Sequence, residues 1–469
     1  MKNKATKPAG ERFLKPREFL LDDVRRARWA KVGFIYTLLL LISIIFMGPL
    51  LFGALSSLKD QPLEWPPRIE TNQLKFHNWM GVYRSAKKGG GHGFFGEFTP
   101  GTEVPFEVTY RVQSGMEPVP PTVQVPRRVA GTTVLVNRSE HYAADYTEIG
   151  PVQEITRKKL ADGSLWVRYG FMIKHTGNMV LQQLPLDLTV PFGEVYAAAT
   201  FDPNRIERQG RVQSWNNLTS GLIPYVFHNY HRIFNENYSR SSGKSMFVSW
   251  FLNSFNYSII RVLTTILFAS MAGYALARLR FKGKNFIFVT MLFSMMVPSQ
   301  VTFISNYLVL RDGIFGLTRL FGIQTLLNSY AGLIISGVVG ASSVFIMKQF
   351  FQGMPGDMEE SAKLDGASTY QAFFRIYLPL AKPAMSALTI LTFQGVWNEF
   401  FWPLVVINAP QERFPLTVGM LSLRRTYGVY YDWGPILAAS IVAILPIIVV
   451  FIVFQRYFIE GINFSGSKG

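Results

Sequence analysis

Six long apolar runs, separated by more polar connectors, set the pattern of the chain. Each run is close to the roughly 20 residues that a helix needs to cross a bilayer. The pattern therefore predicts an all-α polytopic membrane protein with six transmembrane helices. The predicted spans are 32–55, 247–276, 286–310, 330–350, 384–407 and 437–458.

The long connector between the first and second runs has a different pattern. Between residues 94 and 200, short runs of alternating apolar and polar positions are separated by Gly, Pro and Asn. This pattern is typical of short strands joined by turns, so we predict an inserted β-rich domain over residues 84–225. The sequence Phe-His-Asn-Trp at 76–79 is echoed by Phe-His-Asn-Tyr at 227–230. Four matching residues also arise by chance, but we favour a connector that the insertion interrupted or partly duplicated.

The positive charges orient the spans. The thirty-one residues before the first run carry ten Lys and Arg against four acidic residues, and the connector 277–285 carries four basic residues and no acid. Lys and Arg concentrate in short cytoplasmic segments, so we predict that both termini are cytoplasmic and that the β-rich domain is extracytoplasmic. A cleaved signal peptide is the alternative for the first run. That run is longer than the 7–15 residues of a signal-peptide core and lacks an A-x-A cleavage site.

The composition supports this class of protein. Hydrophobic residues make up 49% of the 469 residues and charged residues only 16%, against about 25% charged in an average soluble chain. An ordinary soluble enzyme and a disordered chain are excluded. The chain has no cysteine, which excludes a disulfide framework, a thiolate metal site and a cysteine nucleophile.

The net charge of +17 is the kind of excess that nucleic-acid binding requires. Much of it lies in segments predicted to be cytoplasmic, where the topology rule already accounts for it. We therefore expect contact with membrane lipid and no nucleic-acid partner.

Catalytic motifs are missing from the sequence. Residues 242–245 read Ser-Gly-Lys-Ser, like the end of a phosphate-binding loop, but Tyr238 stands where that loop needs its first glycine. The six histidines form no HExxH motif, and there is no GxSxG. We predict no catalytic residue, no metal site and no cofactor bound by this chain, so that active transport would take its energy from another chain or from an ion gradient.

The connector after the fourth run has a pattern of its own. Pro355 suits the first turn of a helix, and the acidic residues at 357, 359 and 360 suit the positive end of its dipole. Gly366 permits a sharp turn into a second segment, which Pro379 interrupts. We predict a cytoplasmic helix–turn–helix that fits a groove on another protein. By spacing alone, a simple connecting loop is an equal alternative.

This connector resembles the EAA motif of bacterial ABC importer permeases, E-A-A-x-x-D-G-A followed by I-x-L-P. The resemblance implies that residues 353–380 form the coupling loop that docks on the ATP-binding subunit. Ser361 stands where the motif has its first alanine and is similarly small. The matching positions are Glu360, Ser361, Ala362, Asp365, Gly366, Ala367, Ile376, Leu378 and Pro379.

The likeness extends to the maltose-type sugar permeases over residues 30–83 and 225–469. The segments that carry it include 252–254, 273–278, 280–283, 298–300, 397–400, 402–404, 414–417 and 454–458. The resemblance implies a subunit of a bacterial inner-membrane importer for a sugar or oligosaccharide. It also implies a second permease, two ATP-binding subunits that hold ATP and Mg²⁺, and an extracytoplasmic sugar-binding protein. Typical members lack the inserted domain, which puts the contact with the binding protein in doubt.

The predicted organisation therefore has four parts. They are a basic cytoplasmic segment (1–31), a first transmembrane helix (32–58), the extracytoplasmic insertion (84–225) and a permease core with helices two to six (240–469).

Polar residues within the spans are candidates for the substrate pathway, because polar groups that face lipid are costly. Trp397 is a candidate to stack on a sugar ring. Hydrogen bonding between helices, or contact with headgroups, is the alternative for all of them. The candidates are Asn253, Asn256, Gln300, Gln394, Trp397 and Asn398.

Two other classes of function compete with the importer. An ion-coupled secondary transporter needs ionisable groups at mid-membrane, and the spans offer only Glu399 and Arg261. A membrane-anchored receptor or enzyme that acts through the outer domain needs one or two spans rather than six. Both alternatives fit the sequence less well.

Overall fold

The computed structural model describes residues 16–59, 71–88, 92–95, 99–125, 145–180, 183–189, 198–201, 216–219, 221–235, 237–239, 242–428 and 432–466. The chain divides into two compact units, Met1–Ser56 and Ser57–Gly469. In the first unit, helix α1 (Pro16–Ser56) contains the candidate span Trp29–Ser56. No residue of its most apolar 18-residue window is buried within the protein, as expected for a helix whose apolar side chains face lipid.

The second unit consists mainly of helices. In chain order they are α2 (Phe76–Lys88), α3 (Leu222–Val226), α4 (His228–Asn235), α5 (Met246–Arg278), α6 (Lys284–Met296), α7 (Ser299–Arg311), α8 (Tyr330–Ile335), α9 (Ala341–Gln352), α10 (Asp357–Leu364), α11 (Thr369–Ala372), α12 (Leu378–Leu380), α13 (Lys382–Trp397), α14 (Phe401–Val406), α15 (Leu416–Tyr427) and α16 (Gly434–Gly466).

Within the described ranges, three helices are long and apolar enough to cross a membrane unbroken: Trp29–Ser56, Met246–Arg278 and Gly434–Arg456. Two further candidates are bent pairs. The helix direction bends by 107° between Lys284–Met296 and Val301–Arg311. It bends by 73° between Thr369–Leu380 and Lys382–Trp397. The helices predicted over 32–55, 247–276 and 437–458 are confirmed as continuous, whereas the run 286–310 is bent. Six spans in all stays a prediction.

The run predicted as a fourth continuous helix, 330–350, is interrupted. Helices α8 and α9 are separated by residues 336–340, so that prediction is wrong in this respect. The backbone at the break finds donors on α5: Nη1 of Arg261 lies 3.3 Å from the carbonyl oxygen of Ile334, and Oγ1 of Thr265 lies 3.2 Å from that of Val338. Non-helical backbone is tolerated in an apolar setting when such donors satisfy it. The run 384–407 is likewise divided, between α13 and α14.

Helices α5 and α9 approach closely at a glycine. A Cβ atom at Gly273 would lie 2.7 Å from Cβ of Met347 and 2.8 Å from the backbone nitrogen of Lys348. Met347 is fully buried, so it has no space into which to move. Gly273 therefore sets the distance between the two helices.

We expect Gly273→Ala to lower the thermal stability of the purified protein, because overpacking costs about 1–3 kcal/mol. Gly395→Ala is the matched control. It also lies within an apolar helix, but its Cβ would have no heavy atom within 4 Å, and alanine is about 1 kcal/mol better than glycine in a helix. Temperature-dependent loss of the monodisperse species measures both variants. Equal stability of the two would contradict the close approach at Gly273.

The inserted segment contains β-sheet, as predicted. The strands are β1 (Glu103–Val112), β2 (Thr122–Gln124), β3 (Thr147–Ile149), β4 (Gln153–Lys159), β5 (Leu165–His175), β6 (Gln183–Thr189), β7 (Ala198–Phe201) and β8 (Asn216–Thr219). A five-stranded antiparallel sheet has the order β3-β5-β1-β7, with β4 also paired to β5, and a three-stranded sheet has the order β2-β6-β8.

Alternation along β5 explains the core of the larger sheet. Val167, Tyr169, Phe171 and Ile173 are all buried on one face, as period-two patterning requires. The turn from β4 into β5 is local: Gly163 adopts φ +81°, and the backbone N–H of Ser164 donates to Oδ1 of Asp162 at 3.0 Å. The boundaries of the domain and its side of the membrane stay predictions.

Candidate functional site

The site is the segment from Asp357 to Leu380, here called the knob, together with the helix ends that hold it. Its first helix, α10, has three acidic residues in its first turn, which stabilise the positive end of the helix. The helix ends at Leu364, and Gly366, two residues later, adopts φ +74°. The N–H of Gly366 donates to the carbonyl of Lys363 at 3.0 Å, and that of Ala367 donates to the carbonyl of Ala362 at 2.9 Å.

These two bonds form a Schellman motif, in which a left-handed residue satisfies the last carbonyls of a helix. A Cβ at Gly366 would meet no heavy atom within 4 Å. The requirement for glycine is therefore conformational and not steric, and it accounts for the Asp-Gly-Ala sequence of the turn.

The second half of the knob begins with a capping box. Oγ of Ser368 accepts the N–H of Gln371 at 3.3 Å, and Oε1 of Gln371 accepts the N–H of Ser368 at 2.8 Å. Helix α11 then passes into a π-helical turn, Phe373–Tyr377, and into α12, which contains Pro379. A π-helical turn rotates the following side chains relative to an α-helix. The predicted helix–turn–helix geometry is confirmed.

An aromatic cluster fixes the knob to the ends of two helices. Phe373 and Tyr377 are buried, and each ring centroid lies 5.1 Å from that of Tyr274 on α5. Phe351 on α9 completes the cluster, with its centroid 5.9 Å from that of Tyr274. Burial of several aromatic rings in one cluster is strongly stabilising, so the knob is firmly attached on this side.

Arg278, the last residue of α5, joins the same three elements. Its Nε and Nη2 groups donate to the carbonyl of Phe351 at 3.0 and 2.7 Å, and Nη2 also donates to the carbonyl of Met354. The guanidinium carbon lies 5.3 Å from the ring centroid of Tyr377. Arg278 therefore caps the carbonyl of Phe351 in the last turn of α9 and that of Met354 just beyond it, and its guanidinium stacks on Tyr377 of the knob.

The exposed part of the knob carries large apolar side chains among charged ones. Leu364 is 89% exposed, Tyr370 74% and Phe374 48%. The motif residues are divided between buried and exposed positions. Ala362 is buried, Ala367, Ile376 and Leu378 are half-buried, and Glu360, Ser361, Asp365, Gly366 and Pro379 are exposed. The segment is thus anchored on one face and presents apolar side chains on the other.

The structure separates the pathway candidates. Nδ2 of Asn253 donates to the carbonyls of Glu412 and Phe414 at 2.7 and 3.2 Å, which fixes the start of α5 to a neighbouring loop. Asn256, Gln394 and Asn398 are exposed. The side chain of Gln300 lies outside what the structure describes.

The structure buries Trp397, the candidate to stack on a sugar ring. Its side chain is only 2% exposed, and its ring stacks on Phe393 with centroids 5.5 Å apart and planes at 14°. Its Nε1–H donates to the carbonyl of Ala443 at 2.9 Å. The side chain binds α13 to α16, and no ring face is left for a ligand.

Glu399 and Arg261, the two ionisable residues that the sequence offered for ion coupling, have structural partners. The hydroxyl of Tyr257 donates to Oε2 of Glu399 at 3.1 Å, and the backbone carbonyl of Glu399 accepts the hydroxyl of Thr417 at 2.7 Å. Arg261 donates to the break after α8. Within the described part of the chain, no group of three or more His, Asp and Glu residues is arranged to hold a metal ion.

Sequence reasoning missed Arg278 as part of the site, because its carbonyl partners lie more than 70 residues away. The available signals were the resemblance over 273–278 and the aromatic residues at 274 and 373–377.

Comparison with known proteins finds relatives of the helical region. A family model described as "Binding-protein-dependent transport system inner membrane component" matches residues 265–463. The arabinooligosaccharides transport system permease protein AraQ of Bacillus subtilis is 40% identical over 243 residues, which are 52% of this chain and 79% of that protein. The sn-glycerol-3-phosphate transport system permease protein UgpE of Yersinia pestis is 28% identical over 272 residues, 58% of this chain and 89% of that protein.

A solved structure of a bacterial ABC transporter involved in the import of the acidic polysaccharide alginate matches 53% of this chain and 84% of its own, at 25% identity and a TM-score of 0.42. The match to AraQ, with 40% identity over 79% of that protein, is close and long enough to show the family of this chain. This chain belongs to the inner-membrane permease subunits of binding-protein-dependent ABC importers.

Proposed function

We propose that this chain is a transmembrane subunit of an importer for a sugar or oligosaccharide, and that it couples ATP hydrolysis on a separate subunit to alternating access. The observation that carries the proposal is the two-sided knob. Its buried aromatic face is fixed to α5 and α9, whereas Leu364 and Tyr370 point away from the protein. Exposed apolar side chains on a rigid, capped element are typical of a docking surface.

The same geometry supports a mechanism. Permeases of this family work with an ATP-binding subunit and a binding protein, so a partner that closes on ATP would displace the knob. Because Arg278 and the aromatic cluster hold the knob to two helix ends, that displacement passes to α5 and α9 as a rigid-body motion. A loosely attached loop would absorb it.

A carbohydrate substrate is supported by the relatives. The permease that is 40% identical is named for arabinooligosaccharides, and the one named for sn-glycerol 3-phosphate is 28% identical. Glycerol 3-phosphate is therefore the competing substrate class.

The proposed assembly contains two ATP-binding subunits, a second permease and an extracytoplasmic binding protein, in the bacterial inner membrane. Gln394 and Asn398 lie one turn apart at the end of α13, and both are exposed. Amide groups are costly against lipid, so this face needs a polar cavity or another subunit to cover it. With both termini cytoplasmic, the charge pattern puts the knob inside and the inserted domain outside.

Reconstitution of the complete complex in proteoliposomes tests the proposal. With the binding protein on one side and ATP on the other, we expect ATP-dependent accumulation of labelled arabino-oligosaccharide and little accumulation of sn-glycerol 3-phosphate. The reverse preference would reassign the substrate class. Uptake driven by an imposed proton or sodium gradient without ATP would overturn the importer in favour of secondary transport.

The exposed amides provide a prediction in the same assay. Gln394→Leu combined with Asn398→Leu is expected to raise the half-saturating sugar concentration about tenfold, the factor that corresponds to a lost interaction of about 1.4 kcal/mol. Leu391→Met is the matched control, because Leu391 is also exposed on α13 and offers no hydrogen bond. Unchanged half-saturation in the double variant would remove these residues from the pathway.

A further inference from the structure

The loop after α7 has an unusual backbone. Ile314 and Phe315 adopt φ +47° and +56°, and Gly316 follows at +83°. Left-handed conformation is unfavourable for a β-branched residue such as isoleucine. It persists here in a short loop, residues 312–323, that we call the knuckle.

Hydrogen bonds hold the knuckle rigid. The N–H of Ile314 donates to the carbonyl of Val309 at 2.8 Å, and the N–H of Gly316 donates to that of Asp312 at 3.0 Å. Two hydrogen bonds between Thr318 and Ile323 close the loop. The hydroxyl of Thr318 donates to the carbonyl of Ile323 at 2.8 Å, and the N–H of Ile323 donates to the carbonyl of Thr318 at 3.1 Å. The side chains of the knuckle are therefore exposed because the backbone holds them in place, and not because the segment is loose.

The exposed side chains of the knuckle are mostly apolar. Phe315 is 82% exposed, Leu320 81%, Phe321 82% and Leu317 59%. Several large apolar side chains exposed to water in one short loop are unfavourable and mark a contact with another apolar phase or surface.

The knuckle lies at the end of the membrane helices that is nearest the inserted domain. The N–H of Leu326 donates to the carbonyl of Leu310 at 2.9 Å, and the N–H of Asn328 donates to that of Val406 at 2.7 Å. Shortly after Val406, backbone carbonyls of residues 411–414 accept hydrogen bonds from the side chains of Trp250 and Asn253. These two residues lie near the beginning of α5, which follows the insertion in the chain.

An exposed apolar stripe on α7 leads to the knuckle. Val301, Ile304 and Leu308, spaced by three and four residues, are 69%, 65% and 40% exposed. Arg319, which is exposed, lies between Leu317 and Leu320. Arg311, which is exposed and pairs with Asp312 at 2.8 Å, precedes the loop. Aromatic and apolar side chains with adjacent arginines are the composition of the membrane–water boundary, where the guanidinium groups reach the headgroups.

We propose that the knuckle is a lipid anchor: Phe315, Leu320 and Phe321 insert between the headgroups of the leaflet on the side of the inserted domain. The anchor holds the ends of α7 and α8 at the bilayer surface. The anchor depends on the membrane location of the chain and not on the transported solute. A negative result in the transport assay would therefore leave the anchor standing, and a negative result in the test of the anchor would leave the transport proposal standing.

Nitroxide labelling tests the anchor directly, since the chain contains no cysteine. Leu320→Cys and Phe321→Cys are labelled separately in the complete complex, in nanodiscs, and collision with oxygen and with a water-soluble nickel complex is measured. Lys158→Cys on the exposed strand β4 is the water reference. Leu40→Cys, 60% exposed in the first candidate span, is the bilayer-interior reference.

We expect a ratio of oxygen to nickel collision several-fold above that at position 158 and below that at position 40, at both knuckle positions. A ratio equal to that at position 158 would place the knuckle in water and overturn the proposal. Low collision with both reagents would show that another protein subunit covers the patch, which also overturns it. Because both substituted side chains are exposed, a variant that fails to assemble would itself contradict a surface location.

Discussion

Replacing Arg278 by methionine is expected to uncouple ATP hydrolysis from uptake. A methionine side chain at this position would keep much of the packing but would remove the guanidinium donor from the carbonyls of Phe351 and Met354. The carbonyl of Phe351 would keep the backbone N–H of Met354, at 3.3 Å. A hydrogen bond to a charged group contributes about 1.5–3 kcal/mol, and about 1.4 kcal/mol is tenfold in an equilibrium. The anchored arrangement of the knob should therefore become a minor state. We expect uptake per ATP hydrolysed to fall about tenfold in proteoliposomes.

The control for this prediction is Arg280→Met. Arg280 lies in the same basic connector but is exposed, so its replacement removes the same charge without removing the anchor. Arg278→Lys should recover only part of the coupling, because a lysine cannot reproduce the planar fork of the guanidinium group. If Arg278→Met and Arg280→Met gave the same ratio of uptake to hydrolysis, the anchor would have no role in coupling.

The second large effect is expected at a buried ion pair at the other end of the helices. Nη2 of Arg232 lies 2.7 Å from Oδ2 of Asp432, and the two side chains are 1% and 7% exposed. The guanidinium also lies 5.2 Å from the ring centroid of Tyr427. Removing one partner of a buried ion pair is strongly destabilising and costs about 3–5 kcal/mol. Arg232→Met and Asp432→Asn should each lower the thermal unfolding midpoint sharply.

The double variant Arg232→Met/Asp432→Leu should lose less than either single variant, because replacing a buried pair by apolar residues is often close to neutral. The exposed pair Arg311–Asp312, with its N–O distance of 2.8 Å, is the matched control. Arg311→Met should cost less than about 1 kcal/mol, as exposed pairs generally do. Similar losses at Arg232 and Arg311 would refute the burial of the first pair.

Local pattern was enough to predict several features. Hydropathy and length identified the continuous helix α5, because every backbone group of a helix is satisfied within its own segment. Gly366 was predicted as a turn, since the left-handed conformation is a property of that residue and its neighbours. Alternation along β5 predicted a β-rich insertion.

Features that depend on distant residues were not predictable. The break at 336–340 is stabilised by Arg261 and Thr265, more than 70 residues earlier. A tryptophan that stacks on a sugar and one that packs between helices have the same local sequence, so the burial of Trp397 could not be predicted. The register that pairs Glu103 with Lys174 and Val112 with Leu165 likewise required the structure.

Co-purification tests the central claim, that the open face of the knob docks the ATP-binding subunit. The complex is isolated from native membranes in mild detergent as wild type, as Leu364→Asp/Tyr370→Asp, and as the control Met116→Asp, an exposed apolar residue of the insertion. The account predicts that the ATP-binding subunit accompanies the wild type and the control, and is lost from the knob variant while the permease remains folded. Retention of that subunit by the knob variant, or a wild-type chain that is isolated alone, would contradict the account.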